Sequence, residues 1–303
     1  MDSKMIDPKI EEQKYVRKPD YLKSVIPTGK NVHLLQESLK EKKLFTVCQE
    51  AKCPNLGECW AQKTATIMIL GDTCTRACKF CHVKTGNPQG FIDHNEIKHT
   101  VDVVTLMDLN YVVITSVDRD DLPDHGATHF ANTVLALKEK CPKTHIETLI
   151  PDFAADPVKM KILADAKPLV IAQNLETVFR LTKKVRDRRA GYEKTLTALS
   201  FYKQHDPNQK TKSSLMVGLG ETQEELVQAM IDLRKAQVDI LTIGQYMQPS
   251  THHLKVERYY HPDEFKHLKD LALEQGFSFV ASGPMVRSSY KAGEFLQFLG
   301  LKK

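Results

Sequence analysis

The sequence predicts an α/β fold, a partial (β/α)6 TIM-like barrel with one extension at each end. Short β-rich runs recur along the middle of the chain, and segments of helical periodicity separate them, as in repeated parallel βα units. Six or seven units are too few for a closed eight-stranded barrel, so an open barrel is expected. The β-rich runs are 66–70 (TIMIL), 111–116 (YVVITS), 145–150 (HIETLI), 169–173 (LVIAQ), 214–217 (SLMV), 240–244 (ILTIG) and 277–281 (FSFVA).

Two of the intervening helices carry recognisable start signals. Thr222 and Glu225 form a T-x-x-E capping box, and apolar residues follow it at helical spacing. A second helix is expected to begin at His261 or Pro262. The side chains expected to face inward are Leu226, Ala229, Met230 and Leu233 in the first helix, and Leu268, Leu271 and Ala272 in the second.

The ends of the chain do not follow the βα alternation. Residues 1–60 contain one expected helix over 30–43 and three cysteines, and they form an N-terminal extension. Residues 61–282 form the barrel, and residues 283–303 form a C-terminal extension that contains the run RSSY. We expect both extensions to close one end of the barrel.

Composition and charge favour a cytoplasmic protein. Of its 303 residues 41% are hydrophobic and 27% are charged, with a net charge of +5. No apolar run approaches the roughly 18 residues of a membrane span, and the N-terminus has no apolar signal-peptide core. The basic charge is spread along the chain, including the run HHLKVERYYH, and does not predict nucleic-acid binding. Lysines in the first 43 residues suit an acidic protein partner.

Three of the seven cysteines, Cys74, Cys78 and Cys81, have the spacing C-x3-C-x2-C. In a reducing compartment clustered cysteines favour metal ligation over disulfides. Three thiolates can hold three irons of a [4Fe–4S] cluster and leave the fourth iron open to a chelating molecule such as S-adenosylmethionine. The loop follows the first predicted strand, so it is expected at the carboxyl end of the barrel, where active sites lie.

A second trio, Cys48, Cys53 and Cys59, has the spacing C-x4-C-x5-C. These residues alone leave an iron–sulfur cluster and a structural zinc site equally open. Zinc usually takes four ligands from paired C-x2-C knuckles, and His82 is a candidate fourth ligand beside Cys81. The remaining cysteine, Cys141, is interpreted as a packing residue.

The two cysteine runs, TVCQEAKCPNLGECW and GDTCTRACKFCHV, together with RSSY make the chain resemble the lipoyl synthase family of radical S-adenosylmethionine enzymes. The resemblance extends from about residue 18 to 294 and includes TSVDRDDLPDHGATHF, QNLETV, SLMVGLGET, TIGQYMQPSTHHLKVERYYHPDEF and ASGPMVRSSYKA. It implies a barrel of the radical S-adenosylmethionine type and two [4Fe–4S] clusters.

The reaction implied by the resemblance inserts sulfur at C6 and C8 of an octanoyl chain on a lysine of a lipoyl-accepting protein. Two molecules of S-adenosylmethionine would each give a 5′-deoxyadenosyl radical at the cluster of Cys74, Cys78 and Cys81. The auxiliary cluster of Cys48, Cys53 and Cys59 would supply both sulfurs, with Ser289 as its fourth ligand.

The positions of four polar residues at predicted strand ends make them candidates for binding the cofactor. They are Thr115, Asn174, Glu176 and Gln245. Each is equally compatible with a role in closing a strand end. A carboxylate such as Glu176 can accept hydrogen bonds from ribose hydroxyls.

The resemblance also implies partners. The substrate proteins would be octanoylated lipoyl domains of 2-oxoacid dehydrogenases and an H-type protein of glycine cleavage. Ferredoxin or flavodoxin would supply electrons, and an iron–sulfur carrier would rebuild the sacrificed cluster.

Two other functions are weighed: a radical methylthiotransferase acting on tRNA, and a non-catalytic zinc or iron–sulfur carrier. The methylthiotransferase is disfavoured because the first cysteine trio is compact and the chain leaves no room for an RNA-binding module.

Overall fold

The computed structural model describes residues 17–22, 37, 39–42, 44–46, 50, 55–61, 63–289, 294–298, 300 and 301. The strands of this part are β1 (Phe45–Thr46), β2 (Thr64–Ile69), β3 (Thr73–Cys74), β4 (Lys84–Thr85), β5 (Tyr111–Ser116), β6 (His145–Leu149), β7 (Val170–Ala172), β8 (Lys210–Val217), β9 (Ile240–Gln245) and β10 (Phe279–Gly283). The helices are α1 (Leu56–Ala61), α2 (Glu96–Leu106), α3 (Ala127–Lys140), α4 (Pro157–Ala166), α5 (Thr182–Val185), α6 (Tyr192–His205), α7 (Gln223–Lys235), α8 (Pro262–Glu274) and α9 (Glu294–Phe298).

The predicted partial barrel is confirmed. The main sheet has the order β1-β2-β5-β6-β7-β8-β9-β10, in which every pairing from β2 to β10 is parallel. Helices connect the successive parallel strands through six βα units, and β10 adds a further strand. The short β1 pairs antiparallel with β2. In the described part of the chain β1 does not pair with β10, so the sheet stays open.

Strands β2, β5, β7 and β9 are buried on both faces, which explains their apolar sequences. In β5, Val112 and Ile114 pack in the core between the sheet and its helices, while Tyr111 and Val113 belong to a separate cluster on the other face. The sequence therefore located the strands well, although β8 begins four residues before the predicted run. Its start is polar, and Lys212 there is buried only because a carboxylate pairs with it.

The two predicted helix starts are confirmed. In α7 the Thr222 hydroxyl accepts a hydrogen bond from the Glu225 amide, and the Glu225 carboxylate accepts one from the Thr222 amide. In α8 His261 is the N-cap and Pro262 the first helical residue. The apolar faces are buried as expected, except that Leu271 is half-buried.

A polar cluster lies inside the barrel near the amino ends of its strands. Lys212 Nζ lies 2.8 Å from Glu147 Oε1, and the Tyr111 hydroxyl donates to Glu147 Oε2 at 2.6 Å. These three side chains are almost fully buried. Leu296 of α9 packs with Tyr111, and Phe295 packs with residues of β7 and β9. The C-terminal extension thus returns to the interior of the barrel.

The N-terminal extension is described only in part. The Tyr21 hydroxyl donates to the Tyr260 carbonyl, which lies just before α8. Trp60 of α1 is buried in the main core, as is Cys141, so the latter is confirmed as a packing residue. The predicted helix over 30–43 lies mostly outside the described residues. In the described part of the chain no helix is long and apolar enough to cross a membrane.

Candidate active site

The loop that carries Cys74, Cys78 and Cys81 begins with a tight turn after β2. Leu70 and Gly71 both have positive φ angles, of 66° and 84°. The Glu96 carboxylate of α2 accepts hydrogen bonds from both of their amides, at 2.7 and 3.1 Å. Beyond the turn, Cys74 lies in β3 and pairs in register with Thr85 of β4. The loop therefore leaves and re-enters the fold at fixed points at the carboxyl end of the barrel.

Three distant segments hold the backbone of this loop. The Thr75 amide donates to the Asp118 carbonyl after β5, at 3.0 Å. The Lys79 amide donates to the Val185 carbonyl at the end of α5, at 2.9 Å. In the loop after β9, the Leu254 amide donates to the Lys79 carbonyl at 3.2 Å.

A histidine and an aspartate make further hydrogen bonds that hold the same loop in place. His253 Nε2 donates to the Cys81 carbonyl at 2.9 Å. Asp187 Oδ2 accepts from the Ala77 amide at 2.9 Å, and the Asp187 amide donates to Cys78 Sγ at 3.3 Å. Such N–H···S bonds stabilise a thiolate and tune the potential of a cluster that it holds.

Arg76, between Cys74 and Cys78, is buried beneath the loop and surrounded by carboxylates. Its guanidinium pairs with Asp152 through two hydrogen bonds of 2.8 Å and with Asp120 at 2.8 and 3.0 Å. Asp118 lies 3.2 Å away. Burial alone would raise the pKa of Asp152 and Asp120, but the Arg76 hydrogen bonds and charge outweigh it and lower both.

A second arginine joins the network from the segment after α5. Arg189 pairs with Asp187 at 2.9 Å and with Asp120 at 3.2 Å, and it donates to the Thr75 carbonyl. Burial opposes ionisation of Asp187, yet the Arg189 contact and two backbone amides lower its pKa well below the usual value. Asp118 differs, because burial raises its pKa to about 6 despite the Arg76 charge.

Sequence reasoning missed this network. Its members are Arg76, Asp118, Asp120, Asp152, Asp187 and Arg189. The run VDRDD, directly after the apolar strand β5, was a usable signal, since charged residues at a strand's carboxyl end face the site. Asp152 offered no local signal, because its partner Arg76 is 76 residues away in sequence. Asp187 pairs locally with Arg189, but its contact with the Ala77 amide of the loop spans 110 residues.

The three thiols of the loop are free and can act together as ligands of an iron–sulfur cluster. All three are partly buried and are not joined in disulfides. Cys74 and Cys78 each interact electrostatically with Cys81, so the three thiols face a common space. Among the described residues, however, no three His, Cys, Asp or Glu side chains lie close enough to share one metal ion. In a four-iron cluster each cysteine binds a different iron, so three thiols on one loop can hold three of its irons.

Burial raises the pKa of Cys74 and Cys78 to about 12, and it also raises that of Cys81. The thiols are therefore protonated in the protein without its cluster, and cluster assembly must release their protons.

Two of the four candidate cofactor residues lie together after β7. Asn174 donates to Glu176 Oε1 at 3.0 Å, and Glu176 has a left-handed φ of 70°. Burial raises the pKa of Glu176, while the charge of Arg186 partly opposes the rise. The Asn174 Oδ1 and Arg186 Nε atoms are buried without a hydrogen-bond partner among the described residues. Buried polar atoms normally have partners, so this pair of atoms favours a polar ligand here.

The other two candidates already make contacts within the protein. The Thr115 hydroxyl donates to the Leu149 carbonyl at 2.8 Å. The Gln245 amide donates to backbone carbonyls and its Oε1 accepts from the Tyr260 amide, so it anchors the loop after β9. Gly218, with a φ of 100°, allows this approach, since a Cβ there would lie 2.2 Å from Gln245 Nε2. For these two residues a cofactor contact stays a prediction.

The first cysteine trio is only partly described. Cys48 and Cys53 lie outside the described residues, and Cys59 is buried in α1. Two contacts nevertheless locate the segment between them. His82 Nδ1 donates to the Glu50 carbonyl at 2.9 Å, and Asn55 Nδ2 donates to the Met285 carbonyl at 2.6 Å. Glu50 is thus bonded to the loop of the second trio, and Asn55 to the C-terminal extension.

Ser289 follows β10 by six residues and lies half-buried in a turn. The backbone leading to it passes close to β9, because a Cβ on Gly244 would lie 2.0 Å from the Val286 carbonyl oxygen. This stretch therefore lies at the carboxyl end of the barrel, on the same side as the cysteine loop.

Comparison with known proteins agrees with these features. Residues 68–233 match the family model of the radical SAM superfamily, and residues 3–53 match the N-terminal domain of lipoyl synthase. A lipoyl synthase of Marinobacter nauticus is 54% identical over 91% of this chain and 79% of its own length. One from Deinococcus radiodurans is 51% identical over 96% of this chain and 92% of its own length.

This chain belongs to the lipoyl synthase family. Among solved structures, a methylornithine synthase matches with a TM-score of 0.52 at 13% identity, covering 89% of this chain and 93% of its own. The FeFe-hydrogenase maturase HydG of Carboxydothermus hydrogenoformans matches with a TM-score of 0.54 at 12% identity, covering 89% of this chain and 78% of its own. At such low identity these two similarities confirm only the barrel fold.

Proposed function

We propose that this protein is a sulfurtransferase that inserts sulfur at C6 and C8 of an octanoyl chain on a lysine of a lipoyl-accepting protein. It uses two molecules of S-adenosylmethionine in the process. The observation that carries the proposal is the double attachment of the first cysteine segment. Through Glu50 it contacts His82, next to Cys81, and through Asn55 it contacts Met285, near Ser289. A sulfur source beside a radical source is what this reaction requires.

The radical site is built by Cys74, Cys78 and Cys81. When bound, the [4Fe–4S] cluster and S-adenosylmethionine supply the one-electron chemistry needed to cleave C–H bonds that no general base can deprotonate. The protein fixes the three sulfurs through the backbone contacts of the loop and through buried Arg76. Phe80, half-buried against the core, helps to exclude water from this side of the loop.

The residues after β7 are the best candidates to bind S-adenosylmethionine. The Glu176 carboxylate can accept hydrogen bonds from ribose hydroxyls, and Asn174 orients it. The unpartnered Arg186 Nε can donate to a carboxylate of the cofactor. Thr115 and Gln245 remain candidates at the ends of neighbouring strands.

For the auxiliary cluster we propose Cys48, Cys53, Cys59 and Ser289 as ligands. A serine oxygen is harder than a thiolate and leaves readily once protonated, which suits a cluster that is consumed as the sulfur source. The support is the Asn55–Met285 hydrogen bond, which attaches the residues just after Cys53 to the chain four residues before Ser289.

Ser289→Ala should retain cleavage of S-adenosylmethionine and lose most sulfur insertion. Ser288→Ala is the matched control, and it should retain both activities. If the two variants exchanged behaviour, Ser288 would be the ligand. If Ser289→Ala inserted sulfur at the wild-type rate, a serine ligand at this position would be wrong.

The finer assignments are also part of this proposal. The acceptors are lipoyl domains of 2-oxoacid dehydrogenases and an H-type protein of glycine cleavage. A ferredoxin or flavodoxin supplies electrons, and an iron–sulfur carrier rebuilds the auxiliary cluster. The cytoplasmic location remains a prediction from the sequence, which has no apolar run of membrane-span length and no apolar signal-peptide core at its N-terminus.

The decisive experiment is anaerobic turnover with an octanoyl-lysine peptide, S-adenosylmethionine and dithionite. Mass spectrometry should show a peptide that carries two added sulfurs, together with 5′-deoxyadenosine. Iron and acid-labile sulfide analysis tests the carrier alternative. A loaded protein that forms no 5′-deoxyadenosine would support a carrier, and one that leaves the peptide unchanged but methylthiolates tRNA would support the methylthiotransferase.

A further inference from the structure

The contacts that clamp the cysteine loop are accompanied by exposed cations. Val185, Asp187 and Leu254 bond to the loop, and the residue adjacent to each is basic. Lys79 itself lies inside the loop, immediately after Cys78. The four side chains are exposed, and together we call them the basic rim: Lys79, Lys184, Arg188 and Lys255.

Backbone hydrogen bonds bring three of these residues into neighbouring positions in the fold. The Lys79 amide bonds to Val185, next to Lys184, and its carbonyl bonds to Leu254, next to Lys255. The Lys79 and Lys255 amines have no hydrogen-bond or ion-pair partner among the described residues. Lys184 lies 3.5 Å from Glu257, with both side chains more than half exposed, and such surface pairs contribute little. The rim therefore keeps most of its positive charge.

An apolar floor lies beneath part of the rim. A groove of about 210 Å³ is lined by Val185, Leu219 and Leu254, with Lys184, Lys255 and Glu257 along its edge. An apolar centre bordered by charged side chains is typical of protein interfaces. Small interfaces steered by charge are characteristic of transient electron-transfer complexes.

We propose that the basic rim docks an acidic one-electron carrier protein that reduces the cluster of Cys74, Cys78 and Cys81. In this step the carrier is oxidised by one electron and the cluster is reduced by one, with no bond made or broken. The surface is suited to this purpose because Lys79 directly follows a ligand, so a docked carrier lies next to the cluster loop. The proposal depends on the proposed function only for the presence of a reducible cluster.

The test measures electron transfer without any octanoyl substrate. Reduced flavodoxin is mixed anaerobically with cluster-loaded protein, and its oxidation is followed by stopped-flow absorbance. The Lys184→Glu/Lys255→Glu variant should slow the reaction about tenfold or more at low ionic strength, because charge reversal removes steering. Added salt should slow the wild type and bring the two rates together.

The control pair is Lys143→Glu/Lys269→Glu, which reverses two exposed lysines outside the rim, before β6 and on α8. It should keep the wild-type rate with flavodoxin. At salt high enough to screen the negative charge of dithionite, both double variants should be reduced by it within about twofold of the wild-type rate, because a small reductant needs no docking surface.

Equal flavodoxin rates for the two double variants would overturn the proposal. So would slower dithionite reduction of the rim variant at normal cluster content, since the lysines would then act on the cluster itself. The Lys184→Glu/Lys255→Glu variant could instead lose sulfur insertion on a whole octanoylated carrier protein while its flavodoxin rate and its turnover of the peptide stay normal. That result would show that the rim docks the octanoylated carrier protein and not the electron carrier. Absence of sulfur insertion in the wild type would contradict the proposed function but leave this measurement unaffected.

Discussion

Two groups of buried polar side chains, one at each end of the barrel, differ in how completely they are paired. Near the amino ends of the strands, the buried Glu147 carboxylate pairs with Lys212 and accepts a hydrogen bond from Tyr111. Tyr111 also packs in an apolar cluster there. At the carboxyl ends, buried polar atoms of Asn174 and Arg186 have no partner among the described residues. The first arrangement stabilises the fold, whereas the second leaves binding capacity for a ligand. Substitutions at the two ends should therefore separate stability from function.

The largest expected effect on function is at the carboxyl end. Cys78→Ala should abolish formation of 5′-deoxyadenosine, because it removes one of the three sulfurs that we propose as ligands of the radical cluster. Thermal unfolding of the cluster-free protein should change little, since the small side chain is only partly buried. Liquid chromatography of the nucleoside products measures the first effect, and calorimetry the second. Undiminished nucleoside formation would remove Cys78 from the site.

The matching substitution at the amino end should act on stability alone. Lys212→Met leaves the buried Glu147 without its cation and should cost about 3–5 kcal/mol of unfolding free energy. Lys212→Met/Glu147→Leu should recover much of this loss, because an apolar pair carries no unpaired charge. Denaturant unfolding of both variants measures the loss of stability and its recovery. Formation of 5′-deoxyadenosine per folded molecule should match the wild type in each, and a selective loss would show that the amino end contributes to catalysis.

An intermediate effect is expected beneath the cysteine loop. Asp152→Asn should lower the free energy of unfolding at neutral pH by about 2 kcal/mol, because it weakens two charged hydrogen bonds to Arg76. In the folded state Arg76 outweighs burial and lowers the pKa of Asp152 below its ordinary 3.8. The ionised carboxylate therefore stabilises the fold above pH 3.8, and this contribution disappears as the pH falls through the lowered pKa. Unfolding curves of variant and wild type should converge in acid, and a constant difference would exclude the ion pair as the cause.

The smallest predicted effect is at Glu176, where one substitution should weaken binding of S-adenosylmethionine and stabilise the fold. Glu176→Gln should raise the KM for S-adenosylmethionine about tenfold, which corresponds to about 1.4 kcal/mol of lost binding. The same change should stabilise the cluster-free protein at neutral pH, since burial raises the pKa of Glu176 and the fold disfavours its charge. This gain should vanish as the pH falls below about 4.5, the ordinary pKa of the group, where the carboxyl becomes protonated in both states. A variant with lower stability and unchanged KM would make Glu176 a structural residue.

The sequence predicted the parts of this molecule that depend on local pattern. Apolar runs located the parallel strands, the T-x-x-E box located the start of α7, and cysteine spacing singled out a loop that lies at the carboxyl end of the barrel. It did not predict the hydrogen bonds that hold that loop in place. Asp187 and His253 reach the loop from segments more than 100 residues away, so only the folded chain brings them together.

The polar start of β8 was missed for a related reason. A lysine within a strand appears solvent-exposed by its residue type, and only its long-range pairing with Glu147 permits burial. The same limit applies to Gln245, whose position at a strand end is equally typical of a ligand contact and of a loop anchor. Its bonds to the Val217 and Arg258 carbonyls show that it anchors the loop.

The central claim is that the carboxyl end carries a radical cluster and, beside it, a second cluster that is consumed as the sulfur source. It is tested most directly by single turnover of protein whose clusters were assembled with ³⁴S sulfide, using an octanoyl-lysine peptide in unlabelled buffer. Mass spectrometry should find ³⁴S at both inserted positions for the wild type. Cys53→Ala should cleave S-adenosylmethionine and give no thiolated peptide. A thiolated product without ³⁴S, or a normal product from Cys53→Ala, would contradict the account.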